Sequence, residues 1–264
     1  MLAEGKKLII TFHSYKGGTG KTLLSANLAL IYAMKGGRVC LLDMDLRAPS
    51  LFATFENKKK FWINDYLNNI CEIDQVLNDY TPHNNKSGNF FVGLANPSTE
   101  AMREMSSKDR KWEMQALTRL LAMRNKFAEE NSFDYVIVDT SPGFKYSSIN
   151  NIIVADLALV ITSIDKSDLM GTRNMIHDLY ELFEKKTGII VNKVPEGTPP
   201  KQIFQKLYSS NFPIIELISC SCEILKSGGN CLFTLKNPEH PLTQKLHNLA
   251  TKIDQQLQIN ESQN

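Results

Sequence analysis

The sequence lacks any run of roughly 18 apolar residues, the length a membrane-spanning helix requires, which excludes an integral helical membrane protein. It also lacks an apolar leader: Met1-Leu2-Ala3-Glu4-Gly5-Lys6-Lys7 runs straight into a short β-branched segment, predicting a protein made and kept in the cytoplasm. Charge of one sign is scarce too. With 30 Lys and Arg against 28 Asp and Glu, the net charge of +2 points to no polyanionic partner, so any such surface must be local. The cysteines, Cys40, Cys71, Cys220, Cys222 and Cys231, are odd in number in a long chain without a secretory signal, which reads as reduced thiols or a metal site and not as a disulfide framework. No internal repeat or low-complexity stretch appears. Only the loop Thr81–Gly88 and the polar tail Ile259–Asn264 are expected to lack fixed structure.

What the chain does contain is an alternation of short apolar runs and helical patterns, the signature of βαβ units. Strands are expected at Leu8–His13, Arg38–Asp43, Phe90–Leu94, Tyr135–Asp139, Leu157–Thr162, Gly188–Asn192 and Ile214–Ile218. Most lack polar alternation, as strands covered on both faces should. Helices are expected at Lys21–Lys35, closed by Gly36-Gly37, and at Trp62–Leu77, Lys111–Glu129, Ser167–Lys185, Pro200–Ser209 and His240–Gln258. The fold class is therefore α/β: a doubly wound, mostly parallel sheet of about seven strands with helices on both faces. One domain over 1–258 with a tail at 259–264 is the economical organisation.

The first strand leads into Ser14-Tyr15-Lys16-Gly17-Gly18-Thr19-Gly20-Lys21-Thr22 and then into a helix, the context of a phosphate loop. Glycines let successive backbone N–H groups surround a polyphosphate, and the helix dipole adds to the attraction. Lys21 is expected along the β- and γ-phosphates, and the Thr22 hydroxyl on Mg²⁺. The strict pattern G-x-x-x-x-G-K-[ST] is not met, because Tyr15 stands where the first glycine belongs.

Lys16-Gly17-Gly18-Thr19-Gly20-Lys21-Thr22 resembles the deviant KGGxGKT box of the ParA/MinD ATPases, and the missing first glycine is similar to the ParA branch. The resemblance implies a P-loop ATPase fold with ATP and Mg²⁺ bound by Lys16, Gly17, Gly18, Thr19, Gly20, Lys21, Thr22 and Leu23. It also implies that Lys16 reaches across a nucleotide-sandwich homodimer to the partner's phosphates, so that cationic charge reaches the transition state only after dimerisation.

Leu41-Leu42-Asp43-Met44-Asp45 resembles the family's first switch, with carboxylates at a strand end where open α/β sheets bind ligands. By that resemblance Asp43 holds the Mg²⁺ water shell and Asp45 orients or deprotonates the attacking water. Tyr135–Asp139 followed by Thr140-Ser141-Pro142-Gly143 looks like the second switch, with Asp139 on a magnesium-bound water. Asn192-Lys193 resembles the base-binding strand end, where an amide offers an acceptor and a donor to adenine.

The chain departs from the family after its seventh expected strand. Ser219-Cys220-Ser221-Cys222-Glu223 replaces the usual Pro-and-Asp loop, and Cys220 with Cys222, contributed twice across a dimer, could complete a four-sulfur zinc or iron–sulfur site. Lys58-Lys59-Lys60 could face DNA phosphates, while Lys108, Arg110, Lys111, Arg119, Arg124 and Lys126 are diluted by acids. Leu242, Leu246, Leu249, Ile253 and Leu257 make one apolar stripe whose polar face is poor in lysine and arginine, so a helix packed on the sheet is expected, not a membrane anchor. The leading function is an ATP-driven dimerisation switch that positions cargo such as DNA through a stimulating adaptor protein. The alternatives are a nucleotide-gated metal carrier using Cys220 and Cys222, and a weakly hydrolysing scaffold.

Overall fold

The structure, a computed structural model, describes residues 7–81, 88–130, 132–201, 203, 212–226 and 232–259. Its strands are β1 (Leu8–His13), β2 (Arg38–Met44), β3 (Leu77–Asp79), β4 (Asn89–Gly93), β5 (Tyr135–Thr140), β6 (Leu157–Thr162), β7 (Thr187–Val194) and β8 (Ile214–Ser219). They form one sheet in the order β3-β4-β2-β5-β1-β6-β7-β8. Every pairing is parallel except β3 with β4. β1, β5 and β6 are buried at every residue, which is why their sequences are continuous apolar runs.

The helices include α1 (Lys21–Met34), α2 (Ile63–Leu67), α3 (Thr99–Ser107), α4 (Arg110–Glu129), α5 (Tyr146–Val154) and α6 (Lys166–Met175), which runs on into a π-helical stretch, Ile176–Glu181. One face of the sheet is covered by α1 and the final helix Pro241–Ile259, through Leu24, Leu28, Ile31, Leu246, Leu249 and Ile253. The opposite face carries α2, α4 and α5, and α6 with its π-helical continuation closes over β6 and β7 through Leu169, Ile176 and Tyr180. Tyr32 of α1 stacks on Tyr135 of β5 with ring centroids 3.7 Å apart. Both phenols donate to Asp254 Oδ1 of the final helix, at 3.3 and 3.0 Å.

All seven expected strands are present, and an eighth was not foreseen. The segment expected as a helix over Trp62–Leu77 is instead α2, a 3₁₀ turn at Ile73–Gln75, and β3. Asn68-Asn69 ends α2, with Asn69 at φ 61, a left-handed stop that asparagine tolerates. α3 and α5 were also not expected. Ser98 caps α3 by accepting from Ala101 N–H at 3.2 Å, a start signal legible in Ser98-Thr99-Glu100. The helix expected at Pro200–Ser209, most of the loop Thr81–Gly88, and the tail beyond Ile259 lie mainly outside the described residues.

The apolar stripe is core: Leu242, Leu246, Leu249 and Ile253 are buried against α1, while the Leu257 side chain lies outside the described residues. Among the described residues, no helix is long and apolar enough to cross a membrane. The second basic group is largely engaged within the fold. Lys108 pairs with Glu104, Arg124 with Asp156 and Lys126 with Asp74, and Arg119 donates to the Cys71 carbonyl. Lys58, Lys59 and Lys60 are exposed, with Lys58 and Lys60 over the rings of Tyr80 and Phe61.

Candidate functional site

β1 is a central strand, so the turn after it opens at the carboxyl edge of the sheet beside the ends of β5 and β6. That turn is the glycine-rich loop. Gly20, which caps α1, has φ +101, and a Cβ there would come within 2.4 Å of Asn192 Nδ2. Only glycine takes that conformation at that distance without strain. Asn192 lies under the loop, donating to the Thr19 carbonyl at 2.7 Å and accepting from Lys193 N–H. Beyond those two bonds, its amide has a second N–H and a second lone pair. Lys193 also turns to the loop, its Nζ bonding Gly18 O at 2.7 Å.

The two lysines of the loop are disposed differently. Lys21 is 7% exposed. Burial lowers its pKa, opposed by the nearby charges of Asp139, Asp45 and Asp168. Lys16 is exposed and turned away, its Nζ 3.1 Å from Asp165 Oδ1 and bonded to Ser167 Oγ. Ser167 first, then Lys16, holds the Asp165 carboxyl well below the usual carboxylate range.

Parallel pairing of β2 with β5 sets Asp43 opposite Asp139 in register, both buried. Burial, with the charges of Asp139 and Asp45, pushes Asp43 well above the ordinary carboxylate range, although it accepts from Asp45 N–H and Leu51 N–H. Burial likewise raises Asp139, to about 7, against the Thr22 hydrogen bond and the Lys21 charge. Thr22 Oγ1 donates to Asp139 Oδ2 at 2.5 Å and accepts from Ser50 Oγ at 3.2 Å. Asp139 Oδ1 is buried with no partner, and so is Thr19 Oγ1. Buried carboxylates beside a hydroxyl, one oxygen orphaned, form a donor set that fits a hard divalent cation such as Mg²⁺.

Asp45 is half-buried, and its Oδ1 accepts from Ser141 Oγ at 2.8 Å. Ser141 belongs to the loop after β5. Sequence reasoning quoted that loop but gave this hydroxyl no role, and it likewise missed Ser50 and Asp165. Ser50 and Ser141 lie in or beside a motif and Asp165 follows a plain strand, but nothing in the spacing says which hydroxyl or carboxylate meets which partner.

At the ends of β7 and β8 a recess of about 540 Å³ is lined by Glu196, Ser219, Cys220, Cys222, Glu223 and His240, among others. Cys220 and Cys222 are exposed at it, and Cys231 lies outside the described residues. Among the described residues no three His, Cys, Asp or Glu side chains gather as a metal site.

The chain is similar to several known proteins. The AAA domain family model matches residues 7–192. The septum site-determining protein MinD of Bacillus subtilis is 24% identical over 98% of this chain and 94% of its own length. The septum site-determining protein MinD of Pyrococcus horikoshii, solved with Mg-ADP, has a TM-score of 0.75 at 19% identity, covering 96% of this chain and 98% of that one. A plasmid partition protein of Borrelia burgdorferi bound to AMPPNP has a TM-score of 0.69 at 19% identity, covering 92% and 96%.

Proposed function

Since the chain belongs to the ParA/MinD family of P-loop ATPases, we propose that it binds MgATP, pairs with a second copy around the nucleotides, and hydrolyses ATP slowly to position a cargo in the cytoplasm. Septum-site and partition proteins both stand among the solved structures that it resembles, which does not distinguish the two branches. The observation that carries the reading is the contrast between the two lysines. Lys21 is buried near the charges of Asp139 and Asp45, while Lys16 lies exposed on the same loop, held by surface contacts with Asp165 and Ser167 that a neighbouring subunit's phosphates would have to replace.

In this reading Gly17, Gly18, Thr19, Gly20 and Leu23 surround the phosphates, and Lys21 neutralises the β- and γ-oxygens within one subunit. Thr22, Asp43 and Asp139 would hold Mg²⁺, Thr22 directly and the carboxylates through water; the ion supplies charge neutralisation at the phosphates. Asp45, held by Ser141, orients the attacking water, and the partner's copy of Lys16 meets the charge that develops in the transition state. Asn192 and Lys193 face the base. A stimulating adaptor and non-specific DNA, the latter at Lys58–Lys60, are the proposed partners.

The experiment is a size measurement. Asp45→Ala, which slows turnover, should run as a dimer with saturating MgATP and as a monomer without nucleotide. A monomer at saturating nucleotide would refute the switch.

A further inference from the structure

Ser141 holds Asp45, so whatever fixes the loop Thr140–Gly143 also fixes that carboxylate. Three bonds do so visibly: Thr140 Oγ1 to Phe12 O, Ser148 Oγ to Ser141 O, and Gly143 N–H to Ser14 O, all 2.7–2.8 Å. A fourth comes from a residue outside every motif. His13, fully buried, places Nε2 2.9 Å from Gly143 O and Nδ1 2.5 Å from the Tyr180 hydroxyl.

The chemistry of the partners assigns the protons. A carbonyl only accepts, so Nε2 carries the hydrogen. Burial first of all holds the ring's pKa down at about 4, so it is neutral at physiological pH and Nδ1 is an acceptor. Tyr180 must then be the donor. The relay runs from Tyr180 O–H to Nδ1, and from Nε2–H to the Gly143 carbonyl.

Tyr180 lies in the π-helical stretch Ile176–Glu181 that continues α6. Such turns are rare and occur often at functional sites. Two further residues of the same chain limb rest on α6. The Tyr15 ring lies against Gly171, where a Cβ would come within 2.0 Å of it, and Lys16 meets Asp165 and Ser167 at the helix start. His13 is the buried polar link of the three.

We propose that His13 is a positioning residue that couples the loop after β5 to α6: it fixes the Gly143 carbonyl, and through it Ser141 and Asp45, while Tyr180 carries any movement of that loop into the π-helical turn. The inference rests on the nucleotide reading above. It deepens that reading by naming the route by which the nucleotide site reaches the outer helix.

Hydrogen–deuterium exchange of the full chain with and without Mg·AMP-PNP tests the route. In wild type the amides of residues 176–181 should change their exchange on binding. Tyr180→Phe, which removes one hydroxyl and keeps the ring, should abolish that change while affinity for the analogue stays within about threefold. Steady-state ATPase tests the positioning role. His13→Leu should lower kcat about tenfold at unchanged KM, the scale of one buried hydrogen bond. His13→Gln, whose amide can still donate to Gly143, should recover to within about twofold of wild type. An unchanged exchange response in Tyr180→Phe, or equal kcat in His13→Leu and His13→Gln, overturns the coupling. A wild-type chain that binds no Mg·AMP-PNP sinks the nucleotide reading itself, and the coupling with it.

Discussion

Mixing Lys16→Ala chains with Asp45→Ala chains should restore part of the activity that each has lost. Lys16 is exposed and its contacts with Asp165 and Ser167 are at the surface, so removing it should leave the fold and the nucleotide affinity of a single subunit largely intact. Turnover should nevertheless fall by about 10³-fold or more, the scale of a cationic group supplied in trans. Asp45→Ala should fall comparably. In a mixed dimer, the site on the Lys16→Ala chain keeps its own Asp45 and receives an intact Lys16 from its neighbour, while the other site lacks both. With free exchange at equal concentrations about half of the dimers are mixed and each has one complete site, so turnover should return to about one quarter of wild type. The assay is phosphate release across a titration of one variant into the other, with differently tagged chains to count mixed dimers. If mixed dimers form and no activity returns, Lys16 does not act in trans.

Lys21→Ala removes the buried cation of the subunit's own site, so affinity for a fluorescent ATP analogue should fall by about 100-fold, in contrast to Lys16→Ala. Gly20→Ala forces a Cβ to within 2.4 Å of Asn192 Nδ2 at φ +101; a loss of about 2–4 kcal/mol should appear in chemical denaturation, with nucleotide binding lost alongside. Asp139 is raised from 3.8 to about 7 in the fold, so its stabilising contribution is complete below about pH 4 and disappears as pH rises through 7. In EDTA, wild type should therefore gain about 1 kcal/mol from pH 8 to pH 6 relative to Asp139→Asn, and parallel pH profiles would show the assignment to be wrong.

The sequence made the sheet legible because buried parallel strands write themselves as uninterrupted apolar runs, and the phosphate loop because glycines and lysines at fixed spacing between a strand and a helix have few other uses. Asp43 and Asp139 were found as the last residues of such runs. What stayed hidden depends on distance across the fold. β3 is three residues long and gains its place from pairing with β4, so a helical reading of Trp62–Leu77 met no local objection except Asn68-Asn69. Ser141 was in view, but its bond to Asp45 arises because β2 and β5 are neighbours. His13 was merely the end of an apolar strand; Tyr180, its partner, is 167 positions away. Asn192 was found for its amide, while its service beneath Gly20 and Thr19 shows only in three dimensions.

Asp254 makes the last helix a strut. Its carboxylate clasps Tyr32 and Tyr135 together, and Tyr32 stands on the helix whose first residue is Lys21. A displacement of the last helix is therefore passed through two phenols to α1, the shaft that begins at the end of the glycine-rich loop.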